Sequence, residues 1–285
     1  MRWTIHNKLL FFTTVLTIII VLVLLYYTVF YTQPPLVSGH RLGRDGIQRF
    51  HQVADAKTVA IWKQLIRERK HDQMFRHVQD HNPLRQLIDR VFSPEYELQD
   101  YYWVIEKAGV HTCHRDNNSL AFNRDKGQRY PSYTMIMYLE PMERAIGVIP
   151  GSHIKSHGLN KLEELACDSG DIVIFDANLI HVGTVLDKRD HLRVQMKITH
   201  KDDRKVLAYY EDFHKVQQRE PNMPQTVRKI QRDLSCAVPQ ISDWTQTENI
   251  RTARGSSKGV DIGWKQRMFS TLLYGSPNFY DLKDS

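Results

Sequence analysis

Cysteine is scarce in this chain: Cys113, Cys167 and Cys236 are all there is in 285 residues. Three so scattered are too few for a disulfide framework, and no pair has the short spacing of a zinc site. A Gly-rich phosphate loop is missing, as is the serine elbow that carries a Ser-His-Asp triad, which leaves P-loop and serine-hydrolase chemistry without a carrier. Acids are outnumbered, 32 Asp and Glu against 39 Lys and Arg, for a net charge of +7 and a pI near 9.2. That surplus is not clustered with aromatics. Runs such as Arg67-Glu68-Arg69-Lys70 mix signs and read as a solvated basic surface, suited to anionic lipid headgroups rather than nucleic acid. Apolar content of 41% and charged content of 25% are ordinary for a globular core. The length suits one domain of ~200 residues with appendages.

Charge is wholly absent from Leu9 to Tyr31, a run of 23 residues rich in Leu, Ile, Val and Phe. At ~1.5 Å per residue it can cross a ~30 Å hydrocarbon core, and it exceeds the apolar region of a cleaved signal. Tyr26, Tyr27 and Tyr31 form an aromatic belt near one end. We therefore expect a tail over 1–8, a transmembrane signal-anchor over 9–31 and a stem over 32–45 that contains Pro34-Pro35. The charges flanking the run (Arg2 and Lys8 before it, Arg41, Arg44, Arg49 and Asp45 after it) favour a cytosolic N-terminus and a lumenal or exterior domain, a type II arrangement. The bilayer is then a partner of 9–31. A glycan on the sequon at Asn117 would obstruct the candidate site beside it, so the expectation is that the sequon is unused or that the domain is cytosolic. Helices are expected over Ile47–Arg69 and Leu84–Phe92, and again over 206–214 and 226–235. A loop is expected over 245–259, followed by an apolar cluster at helical spacing (Trp264, Met268, Phe269, Leu272, Leu273, Tyr274). An oxygenase-type domain over 46–205 and a helical extension over 206–285 complete the division.

The chemistry starts at His114-Arg115-Asp116. On an extended strand residues i and i+2 share a face, so His114 and Asp116 can meet one ion. A chain of 14 histidines produces such pairs by chance, and His200-Lys201-Asp202 is a second copy. Only the first is followed by a turn at Gly170-Asp171, an apolar run Ile172–Phe175, and then His181. Two imidazoles and a carboxylate on one side of a metal leave the opposite positions open, the facial triad of non-haem Fe(II) oxygenases. Twelve residues after His181, Arg193 stands on the polar parity of a strand over 192–198 with Gln195 and Lys197. A buried guanidinium needs an anion, and the distal carboxylate of 2-oxoglutarate would match it.

His114-Arg115-Asp116, Ile149-Pro150-Gly151-Ser152-His153, Gly170-Asp171 with its apolar run, His181 and Arg193 together resemble the phytanoyl-CoA dioxygenase family. The resemblance covers roughly residues 95 to 200. It implies a mainly β fold with flanking helices, a double-stranded β-helix (jelly-roll or cupin-like) barrel. It also implies Fe(II) held by His114, Asp116 and His181, 2-oxoglutarate held by Arg193, and O₂ as co-reactant. Related halogenating enzymes carry a small residue where Asp116 stands, so hydroxylation of a C–H bond is the expected reaction. The membrane anchor and the C-terminal extension depart from the family pattern and leave the substrate open among small molecules, lipids and proteins. Other readings of the same residues are a catalytically silent barrel acting as an anchored binding module and a cupin-type metal enzyme that does not use 2-oxoglutarate.

Neighbouring residues have plainer readings. His153 is a turn residue, and His111 and Cys113 lie off the triad's parity and read as packing or solvent. Arg189 and Lys197 are the rivals of Arg193 for a carboxylate. Thr134 and Tyr138 could bond the cosubstrate, with core packing as their ordinary role.

Overall fold

A computed structural model describes residues 5–107, 110–116, 127–154, 161–183, 191–218, 220–238, 264–279 and 283–284. The fold is mixed α/β with two sheets, one of seven strands and one of three. The N-terminal run forms α1 (Ile5–Val29), which is long and apolar enough to cross a membrane, with a mean hydropathy of 2.8 and none of it buried.

Where a helix was expected over 47–69, the chain makes two elements. Residues Ile47–Phe50 are a strand, β1, after a short α2 (Leu42–Asp45), and a helix, α3, begins only at Ala56 and runs to Arg67. Tertiary pairing decides β1, which zips antiparallel onto the later strand β6 (Ile172–Asp176) from Ile47 opposite Phe175 to Phe50 opposite Ile172. The helix start is set by Asp55, whose carboxylate accepts from the Thr58 N–H at 2.7 Å and so satisfies an orphan donor. Two more helices follow, α4 (His71–Gln79), which the sequence reading missed, and α5 (Asn82–Val91), close to the expected 84–92 and opened by Pro83 in its first turn.

The seven-stranded sheet runs β1-β6-β3-β8-β2-β9-β10, with β2 Tyr96–Ile105, β3 Tyr133–Tyr138, β8 Arg193–His200, β9 Phe213–Gln217 and β10 Lys283–Asp284. The smaller sheet is β5-β4-β7, with β4 Met142–Val148, β5 Glu163–Cys167 and β7 His181–Gly183. All pairings are antiparallel except β2 with β9. Period-two alternation sorts the large sheet's side chains. Met135, Met137, Ile172, Ile174, Val194, Met196 and Ile198 turn to one face and pack under α3–α5 with Trp62, Met74 and Leu87. The opposite parity, Ile136, Tyr138, Val173 and Phe175, packs against Ile146 and Val148 of the small sheet. Both faces of the large sheet are thus covered. The polar residues of β8 lie on the parity that looks between the sheets.

Beyond residue 205, the helix expected over 206–214 is replaced by a short 3₁₀ turn over Ala208–Tyr210 and then β9. β9 pairs in parallel with β2, Tyr101 opposite Phe213, and the aromatic stack Tyr101–Phe213 (centroids 4.7 Å apart) supports that pairing. A helix, α6 (Gln225–Ala237), matches the expected 226–235, and α7 (Trp264–Tyr274) carries the terminal apolar cluster. The expected loop over 245–259 lies outside the described residues, as do Asn117 and Arg189.

One glycine is dictated by geometry. Gly170 has φ +91°, and a Cβ there would stand 2.2 Å from the Ala54 carbonyl oxygen. Its own carbonyl accepts from the Ala54 N–H at 3.1 Å. Asp171 then locks the turn, its carboxylate taking Arg49 Nε at 2.6 Å, the Gln52 N–H at 2.9 Å and the Asp168 N–H at 2.7 Å. This turn launches β6, whose far end delivers the chain to His181.

Cys113 and Cys236 form a disulfide, Cα atoms 5.0 Å apart across a sequence separation of 123, and Cys167 is free and buried. That corrects the reading of Cys113 as packing or solvent. The separation hides the pair from any spacing argument; only the docking of α6 beside residue 113 brings the sulfurs together.

Candidate metal centre

His114, which lies outside the regular strands, faces His181, the first residue of β7, across an isolated bridge. The N–H of each donates to the carbonyl of the other at 2.9 Å. This backbone ladder fixes the spacing of the two rings, whose centroids are 4.3 Å apart. Asp116 follows two residues after His114 on the same side, its N–H donating to the Ala177 carbonyl at 2.9 Å. The donor atoms of His114, Asp116 and His181 all lie within 4.8 Å of one another, and all three residues are buried. His114 Nε2 is 3.8 Å and His181 Nε2 is 3.6 Å from the same oxygen, Asp116 Oδ1.

The protonation states follow from the partners. His114 Nδ1 lies 2.9 Å from the Thr112 carbonyl and His181 Nδ1 lies 3.0 Å from the Leu179 carbonyl. A carbonyl can only accept, so Nδ1 carries the proton on each ring and Nε2 is left with its lone pair directed at Asp116. Burial pushes both imidazoles below their usual range, His181 to about 3, so both are neutral near pH 7. Burial pushes the Asp116 carboxyl up, but the Lys197 ammonium and the two histidines outweigh it and hold it well below the usual carboxylate range. The donor set is therefore two neutral imidazole nitrogens and one carboxylate oxygen, which fits a divalent cation of the Fe(II) type.

The second oxygen, Asp116 Oδ2, is already engaged. It accepts from Thr134 Oγ1 at 2.5 Å, Lys197 Nζ at 2.6 Å and, more weakly, Gln195 Nε2 at 3.4 Å. Sequence reading gave Thr134 an ordinary packing role and Lys197 a possible carboxylate-binding one. Their part here is to hold the acid so that Oδ1 alone faces the histidines. The available signal was parity: Gln195 and Lys197 share the face of Arg193, and Thr134 sits opposite Lys197 in the β3–β8 register.

Arg193 is also buried and lines the same cavity as the triad, with Trp103, Ile105, Val110, Tyr138 and Ile146 around it. Its Nη1 donates to the His191 carbonyl at 2.8 Å and to the Lys107 carbonyl at 3.4 Å. No carboxylate pairs with it among the described residues. Burial lowers its pKa, as expected of a cation held without an anion.

The remaining candidates are placed elsewhere. Arg115, between the two triad residues, points away from them and donates to the Ser152 and Asn178 carbonyls, clamping the Pro-Gly-Ser-His turn onto the site's floor. His153 sits against Gly46 at that turn. His111 is bonded to Gln231 of α6 at 2.7 Å. His200 stacks on Tyr130 with centroids 3.6 Å apart, so the second His-x-Asp pair caps a turn instead of meeting a third donor. A second group, His51, Asp168 and Asp171, is taken up by the ion pairs of Arg49 with both aspartates.

No protein-family model matches the sequence, and no curated protein matches it. Solved structures do resemble it in shape. Apo HygX from Streptomyces hygroscopicus is 15% identical over 58% of this chain and 88% of that one, with a TM-score of 0.47. The non-heme alpha ketoglutarate dependent epimerase SnoN from nogalamycin biosynthesis is 16% identical over 56% of this chain and 80% of its own, at 0.45. EvdO2 from Micromonospora carbonacea var. aurantiaca, complexed with 2-oxoglutarate, is 12% identical over 57% and 93%, at 0.42.

Proposed function

We propose that this protein is a membrane-anchored Fe(II)- and 2-oxoglutarate-dependent dioxygenase that hydroxylates a C–H bond, with its two sheets forming a double-stranded β-helix. The observation that carries this is the convergence of two lone-pair nitrogens and one carboxylate oxygen on a single buried point, beside an arginine without an acidic partner among the described residues. His114, Asp116 and His181 would hold iron, and Arg193 would pair with the distal carboxylate of 2-oxoglutarate. Together the two cofactors supply O₂ activation at the iron, with the keto acid giving succinate and CO₂. The chain contributes the rest. Backbone carbonyls fix the tautomer of each histidine, Lys197 and Thr134 fix the carboxylate, and Trp103, Ile105, Val110 and Ile146 give the cavity an apolar wall. The purified full chain in detergent, given Fe(II), ascorbate and 2-oxoglutarate, should release succinate in a reaction that needs both and stops on chelation. Absence of succinate together with absence of metal binding would leave the silent-barrel reading in its place.

The same reading puts α1 across a bilayer with the catalytic domain on the lumenal or exterior side. The disulfide supports this side, because a cytosolic thiol pair stays reduced. Tyr31, just beyond α1, carries Lys229 at 4.8 Å and Arg232 at 5.6 Å over its ring, seating α6 at the interfacial end of the anchor. In protein taken from cells with thiols trapped at lysis, a thiol-reactive polymer should shift the denatured chain by one increment (Cys167) before reduction and by three after it. Three increments before reduction would put the domain in a reducing compartment.

A further inference from the structure

The least expected group near the triad is Lys197. It is fully buried and its Nζ lies 2.6 Å from Asp116 Oδ2 and 2.7 Å from Thr134 Oγ1. Two aromatic rings also flank it: Nζ is 4.9 Å from the centre of the Tyr210 ring and 5.7 Å from that of Tyr101. Tyr210 is tied to the same segment, its hydroxyl donating to the Asp116 carbonyl at 3.1 Å. Asp116 is thus the carboxylate to which this cation is bound.

Orienting a carboxylate does not require a charge. A glutamine amide or a serine hydroxyl would hold Oδ2 just as well, and a buried ion pair is costly to desolvate. What the ammonium adds is a positive charge one carboxylate away from the point where the two Nε2 atoms and Oδ1 converge. Without it, two neutral imidazoles and a carboxylate carry −1; with it, the cluster is neutral. A neutral cluster holds a divalent ion less tightly than an anionic one, and it disfavours a trivalent ion more strongly still, because repulsion scales with the ion's charge.

We propose that Lys197 is a positioning residue that acts through Asp116 as a built-in counter-cation, setting the centre's preference for ferrous over ferric iron. This rests on the reading of the triad as a metal site. It makes an opposite prediction from a structural role: removing the lysine should tighten metal binding rather than weaken it.

The test uses the purified full chain in detergent. Co(II) affinity is followed by the ligand-field absorption of the bound ion, and the Fe(III)/Fe(II) midpoint by spectroelectrochemistry. Lys197→Met removes charge and hydrogen bond together, and Lys197→Gln removes the charge while keeping a donor, in case the methionine variant does not fold. Both should bind Co(II) at least tenfold more tightly. Both should shift the ferric-to-ferrous preference at least tenfold, a fall in midpoint of about 59 mV or more. Lys197→Arg, which keeps the cation, should stay within about threefold of the parent, whereas Thr134→Val, which keeps the cation but removes a hydrogen bond to the carboxylate, should weaken Co(II) binding rather than tighten it. Unchanged or weaker Co(II) binding with an unchanged midpoint in the methionine and glutamine variants would overturn the proposal while leaving the triad standing. A parent protein that binds neither Co(II) nor Fe(II) would overturn the metal reading, and this inference with it.

Discussion

Replacing His181 with alanine is expected to abolish tight binding of Fe(II) or Co(II) and all turnover of 2-oxoglutarate, while the domain stays folded. The imidazole is one of three donors on a single point, and its Nε2 has no role but to face Asp116 Oδ1 at 3.6 Å. Loss of an outer-shell partner costs ~10–100-fold in metal affinity, so loss of a direct ligand should exceed about 100-fold. The fold should survive because the bridge to His114 is made by main-chain atoms, and alanine keeps both bonds. The packing lost is the ring's contact with Phe175, 4.5 Å between centroids. Equilibrium dialysis against Co(II), with circular dichroism as the control for folding, decides the matter. A folded variant with the parent's affinity would show that the three side chains converge for some reason other than a metal.

Arg193→Ala should act on the cosubstrate and spare the metal. The guanidinium is buried and held by two main-chain carbonyls, with charge left over for an anion. Removing one member of a buried charged pair costs roughly 3–5 kcal/mol. At about 1.4 kcal/mol per tenfold, the apparent KM for 2-oxoglutarate should rise by about 10²–10³-fold or more. Affinity for Co(II) should hold within a few-fold, since no Arg193 atom enters the triad. Initial-rate succinate assays across 2-oxoglutarate concentrations give the KM, and the dialysis above gives the metal constant. An unaltered KM would move the carboxylate to another cation. Lys197 is already committed to Asp116 Oδ2, so Arg189, outside the described residues, would then be next to replace. Complete independence of 2-oxoglutarate with metal binding intact would favour a cupin-type enzyme.

What could be read without coordinates is what depends on neighbours in sequence. His114 and Asp116 meet on one side as i and i+2 of an extended segment, although the structure gives that segment an isolated bridge at His114 and not the expected strand. Strand alternation put Arg193, Gln195 and Lys197 together on the polar side of β8, where the structure has them buried between the sheets. The apolar run of α1 is a matter of composition and length, although the helix spans Ile5–Val29 rather than 9–31. The helices near 84–92 and 226–235 and the helical spacing of Trp264–Tyr274 were visible as apolar periodicity.

Tertiary contacts decided the rest. Residues 47–50 have no intrinsic reason to leave a helix; they become β1 because the edge of β6 offers them a row of unpaired backbone groups. The segment after 210 becomes β9 for the same reason, against β2. The Cys113–Cys236 bond spans 123 residues and exists only because α6 docks beside the segment that carries His114. Thr134 and Lys197 lie 18 and 81 residues from Asp116. No spacing rule links them to it; the β3–β8 register, Thr134 opposite Lys197, brings both to Oδ2. The sequence alone thus determined which side chains share a strand face and which segment is apolar enough to cross a bilayer, because both depend on short-range periodicity and composition. Only the tertiary structure decided what each face meets, because strand pairing and helix docking are long-range choices that no local pattern encodes.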